Sequence, residues 1–164
     1  MSPGDPKYAG SPLGVAYTQL GVHEVGGKNR GPRVDEYLRS VGLEPDPAKN
    51  PNAPENGYPW CAAGACWSVR QAGWSLKQSA SVANLWELNQ DLSVLEPEPS
   101  DIYIHLNEDG TGHCGIVDSV DDTHVHGIEF NTNAAGSREG DRVAFKDRLR
   151  VYCHAFIRPR GGKR

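Results

Sequence analysis

Four residues carry the chemistry this chain can do: Cys61, His113, Glu129 and Asn131. Cys61 stands in "YPWCAAGACW", directly after a Tyr-Pro-Trp turn and ahead of a run of small residues. A cysteine reacts as the thiolate, and its pKa of about 8.5 falls at a helix N-terminus or beside a histidine. The turn ahead of Cys61 predicts a helix starting there, with unpaired N–H groups and the positive end of the dipole around the thiol. The same N–H groups suit an oxyanion. Taken alone, Cys61 reads equally as a small apolar residue packed in a helix.

A nucleophilic thiol needs a base. His113 opens "GHCGIV" directly after a glycine turn, where a strand mouth can face a cleft. Strand alternation puts His113, Gly115 and Val117 on one face and Cys114 and Ile116 on the other. Cys114 is therefore expected to point away from the cleft, and Gly115 to leave room for substrate. A third group must orient the imidazole. Glu129 and Asn131 in "IEFNTN" are two apart on a strand and are expected on one face. Each also has an ordinary reading, a turn histidine or an exposed polar edge. Tyr58, Trp60 and Ala62, flanking the thiol, are the candidate oxyanion and substrate-binding positions.

The elements that must position these groups come in two blocks. "SPLGVAYTQLGV" predicts a short helix over about Pro12 to Leu20, capped by Ser11 and stopped by Gly21. "NRGPRVDEYLRSVGL" predicts a second, with Pro32 in its first turn and Val34, Tyr37, Leu38 and Val41 along one stripe. Residues 44–59 hold five prolines and form a polar loop leading straight into Cys61. Helices follow from Cys61 to Gln71 and over 81–89. The pattern then changes to period two. Residues 101–106, 113–120, 123–131, 141–147 and 151–158 predict strands, with a polar hairpin over 107–112. Helices first and an antiparallel sheet after is an α+β order.

Taken together, "GYPWCAA", "GHCGIV" and "IEFNTN", in that order, resemble the CHAP family of cysteine- and histidine-dependent amidohydrolases and peptidases. "GVHEVGGKNRGPRVDEYLRSVGL" and "NTNAAGSREGDRV" resemble segments that flank those motifs in the family. The resemblance covers residues 12–158 and implies an α+β, papain-like core with N-terminal helices packed on an antiparallel sheet. It implies Cys61 as nucleophile, His113 as general base, Glu129 as orienter and Asn131 as the accompanying amide. It also implies peptidoglycan as the substrate, cut at the muramoyl–alanine amide or at a peptide bond. Residues 1–11 then form an arm and 159–164 a basic tail. The sequence departs from the family pattern at Cys114, where an apolar residue is more usual, and at Phe130, where glycine is common and the larger ring is expected to narrow the site.

Composition bounds the remaining classes. At 164 residues the chain suits one domain with its own core. A net charge of −4 and pI near 5.8 give no general attraction to nucleic acid. Mean hydropathy is −0.59, and no apolar run approaches the roughly 20 residues of a membrane span. "MSPGDPKYAGSP" shows no secretory signal pattern, so the expected course is a monomer that accumulates in the cytoplasm and is released to the wall, as a phage or prophage lysin would be. The four cysteines include no CxxC pair. Five helical residues separate the Cα atoms of Cys61 and Cys66 by about 8 Å, beyond disulfide reach. They read as free thiols.

No cofactor is expected. The acids of "DPAKNPNAPENG" are too scattered among prolines for calcium, and the strand pair His124 and His126, a conceivable zinc pair, faces away from Glu129. Two other classes stay open: a cysteine amidase or peptidase acting as a toxin or on a small substrate, and a wall-binding module without turnover.

Overall fold

The computed structural model describes residues 8–133 and 140–161. Helices come first and strands after, as an α+β chain requires: α1 Pro12–Thr18, α2 Pro32–Ser40, α3 Cys61–Gln71 and α4 Val82–Leu88, then β1 Ser93–Val94, β2 Ile102–Leu106, β3 Gly112–Val120, β4 His124–Thr132, β5 Arg142–Leu149 and β6 Ala155–Ile157. The six strands form one sheet in the order β1-β6-β2-β3-β4-β5, antiparallel at every pairing.

The local reasons match the sequence signals. Ser11 caps α1 by accepting the Gly14 N–H, and Pro12 sits in the first turn. Pro32 opens α2, whose Val34, Tyr37 and Leu38 are buried. In α3 the residues from Cys61 to Val69 are all buried, so this helix lies at the centre of the molecule. Its small residues let it approach the sheet closely. Gly64 is the contact point, because a Cβ there would collide with the Phe130 ring of β4. Phe130 in turn meets Tyr37 edge-on, with centroids 5.2 Å apart. Phe130 thus joins β4 to two helices and does not narrow the site, because strand alternation aims it at α3.

Two stretches differ from the sequence expectation. Ser93–Val94 pairs with β6 and forms an edge strand too short for a periodic signal. The segment expected as one strand over 151–158 begins as a 3-10 turn, Arg150–Tyr152, and only Ala155–Ile157 joins the sheet. The far edge of the sheet is also occupied. Backbone bonds from Gly21 and Glu24 to Val143 and Asp141 lay the segment after α1 along β5. That contact carries the Glu24 carboxylate to the indole N–H of Trp60, at the entry to α3, 3.1 Å away.

Residues 44–59 form an ordered loop. Asn50 donates to the Glu44 carbonyl and to the Tyr58 hydroxyl, and Asn29 donates to the Asn56 carbonyl. Gly57 has φ +72° and passes so close to the Lys28 carbonyl that a Cβ would clash. Tyr8 is buried against α1, and Arg160 forms a backbone bridge with Ser75, so parts of the expected arm and tail pack on the domain. The remainder of both segments, and most of "NTNAAGSREGDRV", lie outside the described residues. Among the described residues, no helix is long and apolar enough to cross a membrane.

Candidate active site

Cys61 is the first residue of α3, with Trp60 at the cap position and no side chain capping the helix. The first intrahelical bond runs from the Gly64 N–H to the Trp60 carbonyl, which leaves the N–H groups of Cys61, Ala62 and Ala63 without a helical acceptor. The thiol is 3 % exposed and lies at the floor of a cleft of about 290 Å³. Tyr58 and Pro59 form one wall, Ser81 and Val82 another, and Gly110 to Gly112 of the β2–β3 hairpin a third.

The imidazole comes from β3. His113 is buried, and its Nε2 lies 2.8 Å from Glu129 Oε1 on β4. Its Nδ1 is buried and makes no hydrogen bond of ordinary geometry. The Cys61 thiol and the Glu129 carboxylate are the groups that act on this ring. Burial alone would lower the His113 pKa, but Cys61 and Glu129 outweigh it and raise it to about 9. Glu129 is held at about 2 against its own burial, by Arg148 and His113.

The Cys61 thiol is held well below its ordinary value. The neighbouring Cys114 thiol contributes most, then His113, then the Ala62 N–H, all against desolvation. Cys114 is pushed the other way, well up, by Cys61 and by burial. The two thiols share one tight interaction. Cys61 is the one held low because it alone has the imidazole and the helix N–H beside it, and Cys114 is the one held high.

This corrects the expectation for Cys114. Alternation does put Cys114 with Ile116, but that face is the one packed on α3, so Cys114 sits in the helix-facing core with Cys61. Gly115 is corrected as well. The space it leaves is filled by Tyr103 of β2, its register partner, whose ring a Cβ at Gly115 would strike. The Tyr103 hydroxyl donates to Glu129 Oε2.

The regular alternation expected from Glu129 to Asn131 is interrupted. Asn131 has φ +55°, and the β4–β5 register shifts between Glu129 and Thr132. The irregularity brings the Thr132 hydroxyl to Glu129 Oε1, at 3.0 Å. The Asn131 amide is fully buried, and neither its oxygen nor its nitrogen has a hydrogen-bond partner. Trp60 is fully buried, stacked near Tyr37 and bonded to Glu24, which places it under the cleft as support. Tyr58 lines the cleft, and the Ala62 N–H helps to lower the Cys61 thiol.

Tyr103, Thr132, Arg148 and Cys114 complete the cluster, and the motifs did not single them out for these roles. Tyr103 and Arg148 reach Glu129 from strands 26 and 19 residues away in sequence, contacts that only the sheet register reveals. His124 and His126 lie at the exposed end of β4, where His126 bonds to Asp147 and Asp121. Among the described residues no group of three or more His, Cys, Asp or Glu is arranged to hold a metal ion.

Residues 53–131 match the family model described as the CHAP domain. That segment is similar to the CHAP domain. The matched segment begins in the loop before α3 and ends at Asn131, so it holds Cys61, His113 and Glu129 but not α1, α2, β5 or β6. CHAP domains are in general amidase and peptidase hydrolases acting on peptidoglycan. No curated protein and no solved structure matches the chain.

Proposed function

We propose that this CHAP-like domain cleaves an amide bond of peptidoglycan with Cys61 as nucleophile. The observation that carries the reading is the buried His113–Glu129 pair, held at 2.8 Å, beside a thiol at the uncapped start of α3. Nε2 is committed to the carboxylate, which leaves Nδ1 for the thiol proton.

The Cys61 thiolate attacks the amide carbon. The oxygen of the tetrahedral adduct faces the N–H groups of the first α3 turn. His113, as the imidazolium, protonates the departing amine, and a thioester remains on Cys61. His113 then takes a proton from water, the hydroxide attacks the thioester, and the acid and the free thiolate are regenerated. Glu129 keeps the ring oriented through both steps.

Apart from Cys61, the cleft lining among the described residues holds no charged side chain: Leu43, Tyr58, Pro59, Ala80 and Val82 are joined by small and hydroxyl residues. That suits an uncharged stretch on either side of the amide, such as a muramoyl–alanine or an alanine- or glycine-containing peptide bond. The biological setting we propose is a phage or prophage lysin acting as a monomer, held in the cytoplasm until it meets the wall. Four free cysteines fit a reducing compartment. Digestion of purified sacculi tests the reading: wild type releases soluble fragments whose masses name the bond. Retention of the sacculi with binding but no fragments supports a wall-binding module instead.

A further inference from the structure

The Glu129 carboxylate is wholly buried, and every lone pair it can offer is used. Oε1 accepts from His113 Nε2 at 2.8 Å, Thr132 Oγ1 at 3.0 Å and Arg148 Nη2 at 2.6 Å. Oε2 accepts from Arg148 Nε at 2.7 Å and from the Tyr103 hydroxyl. Arg148 is thus a fork on both oxygens, the geometry guanidinium fits best. It comes from β5, outside the segment that matches the family.

The fork is itself fixed. Its guanidinium carbon lies 4.8 Å from the Tyr152 ring centroid, and Tyr152 stacks on His105 at 3.7 Å and 5°. A buried carboxylate with histidine as its sole partner can collapse to a neutral pair by taking the proton back, because burial disfavours both charges. An arginine, which does not deprotonate, removes that option. During turnover His113 passes through its neutral form, and at that moment Arg148 alone balances Glu129.

We infer that Arg148 is a positioning residue: its two-point contact keeps Glu129 ionised and in plane, so that His113 keeps its Nε2 proton on the carboxylate and turns Nδ1 to Cys61. The inference rests on the catalytic reading above. The titratable groups around Glu129 are Tyr103 from β2, His113 from β3, Arg148 from β5, and Tyr152 and Cys153 after it, with Cys114 on the other face of β3; Tyr103, Tyr152, Cys114 and Cys153 are all pushed upward and stay neutral near pH 7. Arg148 is therefore the permanent cation among them.

The test needs no substrate. Iodoacetamide alkylation of Cys61 is followed against pH in the full chain, with the modified residue localised by peptide fragmentation. Wild type should show a midpoint well below that of an ordinary thiol. In Arg148→Gln the midpoint should rise by about one pH unit, an about tenfold loss of alkylation rate at pH values below the wild-type midpoint. Arg148→Lys keeps the charge but loses the fork and should shift less, in the same direction. Tyr152→Leu removes the shelf and should behave like the lysine variant.

A folded Arg148→Gln with the wild-type midpoint overturns the inference. If that variant does not fold, Arg148→Lys decides: a midpoint equal to that of wild type overturns it. A wild-type Cys61 that titrates like a free thiol removes the catalytic reading, and this inference with it.

Discussion

Tyr103 and Glu129 meet in the space that Gly115 vacates: the phenol lies over the bare backbone of β3 and its hydroxyl ends on the carboxylate. The contact ties β2 to β4 across the strand that carries His113. A residue with a side chain at position 115 would push Tyr103 off Glu129. The orienting carboxylate is thus held by the sheet around it, and changes to it should act on rate more than on affinity.

Glu129→Gln keeps the shape but removes the charge that favours the imidazolium. Turnover should fall by about 10²- to 10⁴-fold with KM little changed. Tyr103→Phe should lose far less, since four other hydrogen bonds to Glu129 remain. Steady-state kinetics on solubilised wall fragments separates the two parameters. A rise in KM with unchanged kcat in Glu129→Gln would contradict the orienting role.

Activity should follow a bell in pH. The thiolate–imidazolium pair exists between the depressed Cys61 value and the His113 value of about 9. Above about 9, His113 loses the proton that the leaving amine needs, and kcat should fall. Folding stability has the matching sign. The His113 contribution is fully present below the ordinary imidazole value of 6.5 and is lost as pH rises through about 9. The Glu129 contribution is present above its ordinary 4.5 and is lost as pH falls through about 2. Denaturant midpoints across pH in wild type and His113→Ala check the first of these: the alanine variant should lack the alkaline decline.

The thiols should separate cleanly. Cys66 is buried with its sulfur toward the Ser79 carbonyl, and burial pushes it up to about 12, so Cys66→Ser should leave the rate nearly unchanged. Cys114→Ala removes the neighbouring thiol that most lowers Cys61 and should reduce the rate on the acid side of the profile, with full activity recovered at higher pH. A uniform loss across pH would assign Cys114 a packing role alone.

Gly64→Ala sets helix propensity against packing. Alanine gains about 1 kcal/mol in a helix interior, yet its Cβ would enter the Phe130 ring, and overpacking costs about 1–3 kcal/mol. Net destabilisation is expected, read as a lower Tm, with the alkylation profile of Cys61 displaced because α3 carries the thiol.

Much of this was legible in the sequence because the signals were local. The caps at Ser11 and Pro32, the helix from Cys61 to Gln71 and the alternating strands all follow from neighbours in the chain. The places of Cys61 and His113 at element starts and of Glu129 within a strand were legible from local signals. The rest depended on contacts between elements. Strand parity identified the face of Cys114 but not that α3 covers it. The irregularity at Asn131 brings Thr132 to Glu129, and a regular period cannot show that. Arg148 reaches Glu129 along a neighbouring strand, and its long side chain spans an offset that no spacing rule encodes.

The most direct test of the central claim is turbidity loss of purified peptidoglycan, wild type against Cys61→Ala, in EDTA with a reductant. Circular dichroism establishes that both are folded, and mass spectrometry reads the products. The account predicts clearing by wild type alone, undiminished by EDTA, with fragments carrying a new amine and a new carboxyl group. Equal clearing by Cys61→Ala, or an intact wall with both folded proteins, would contradict it.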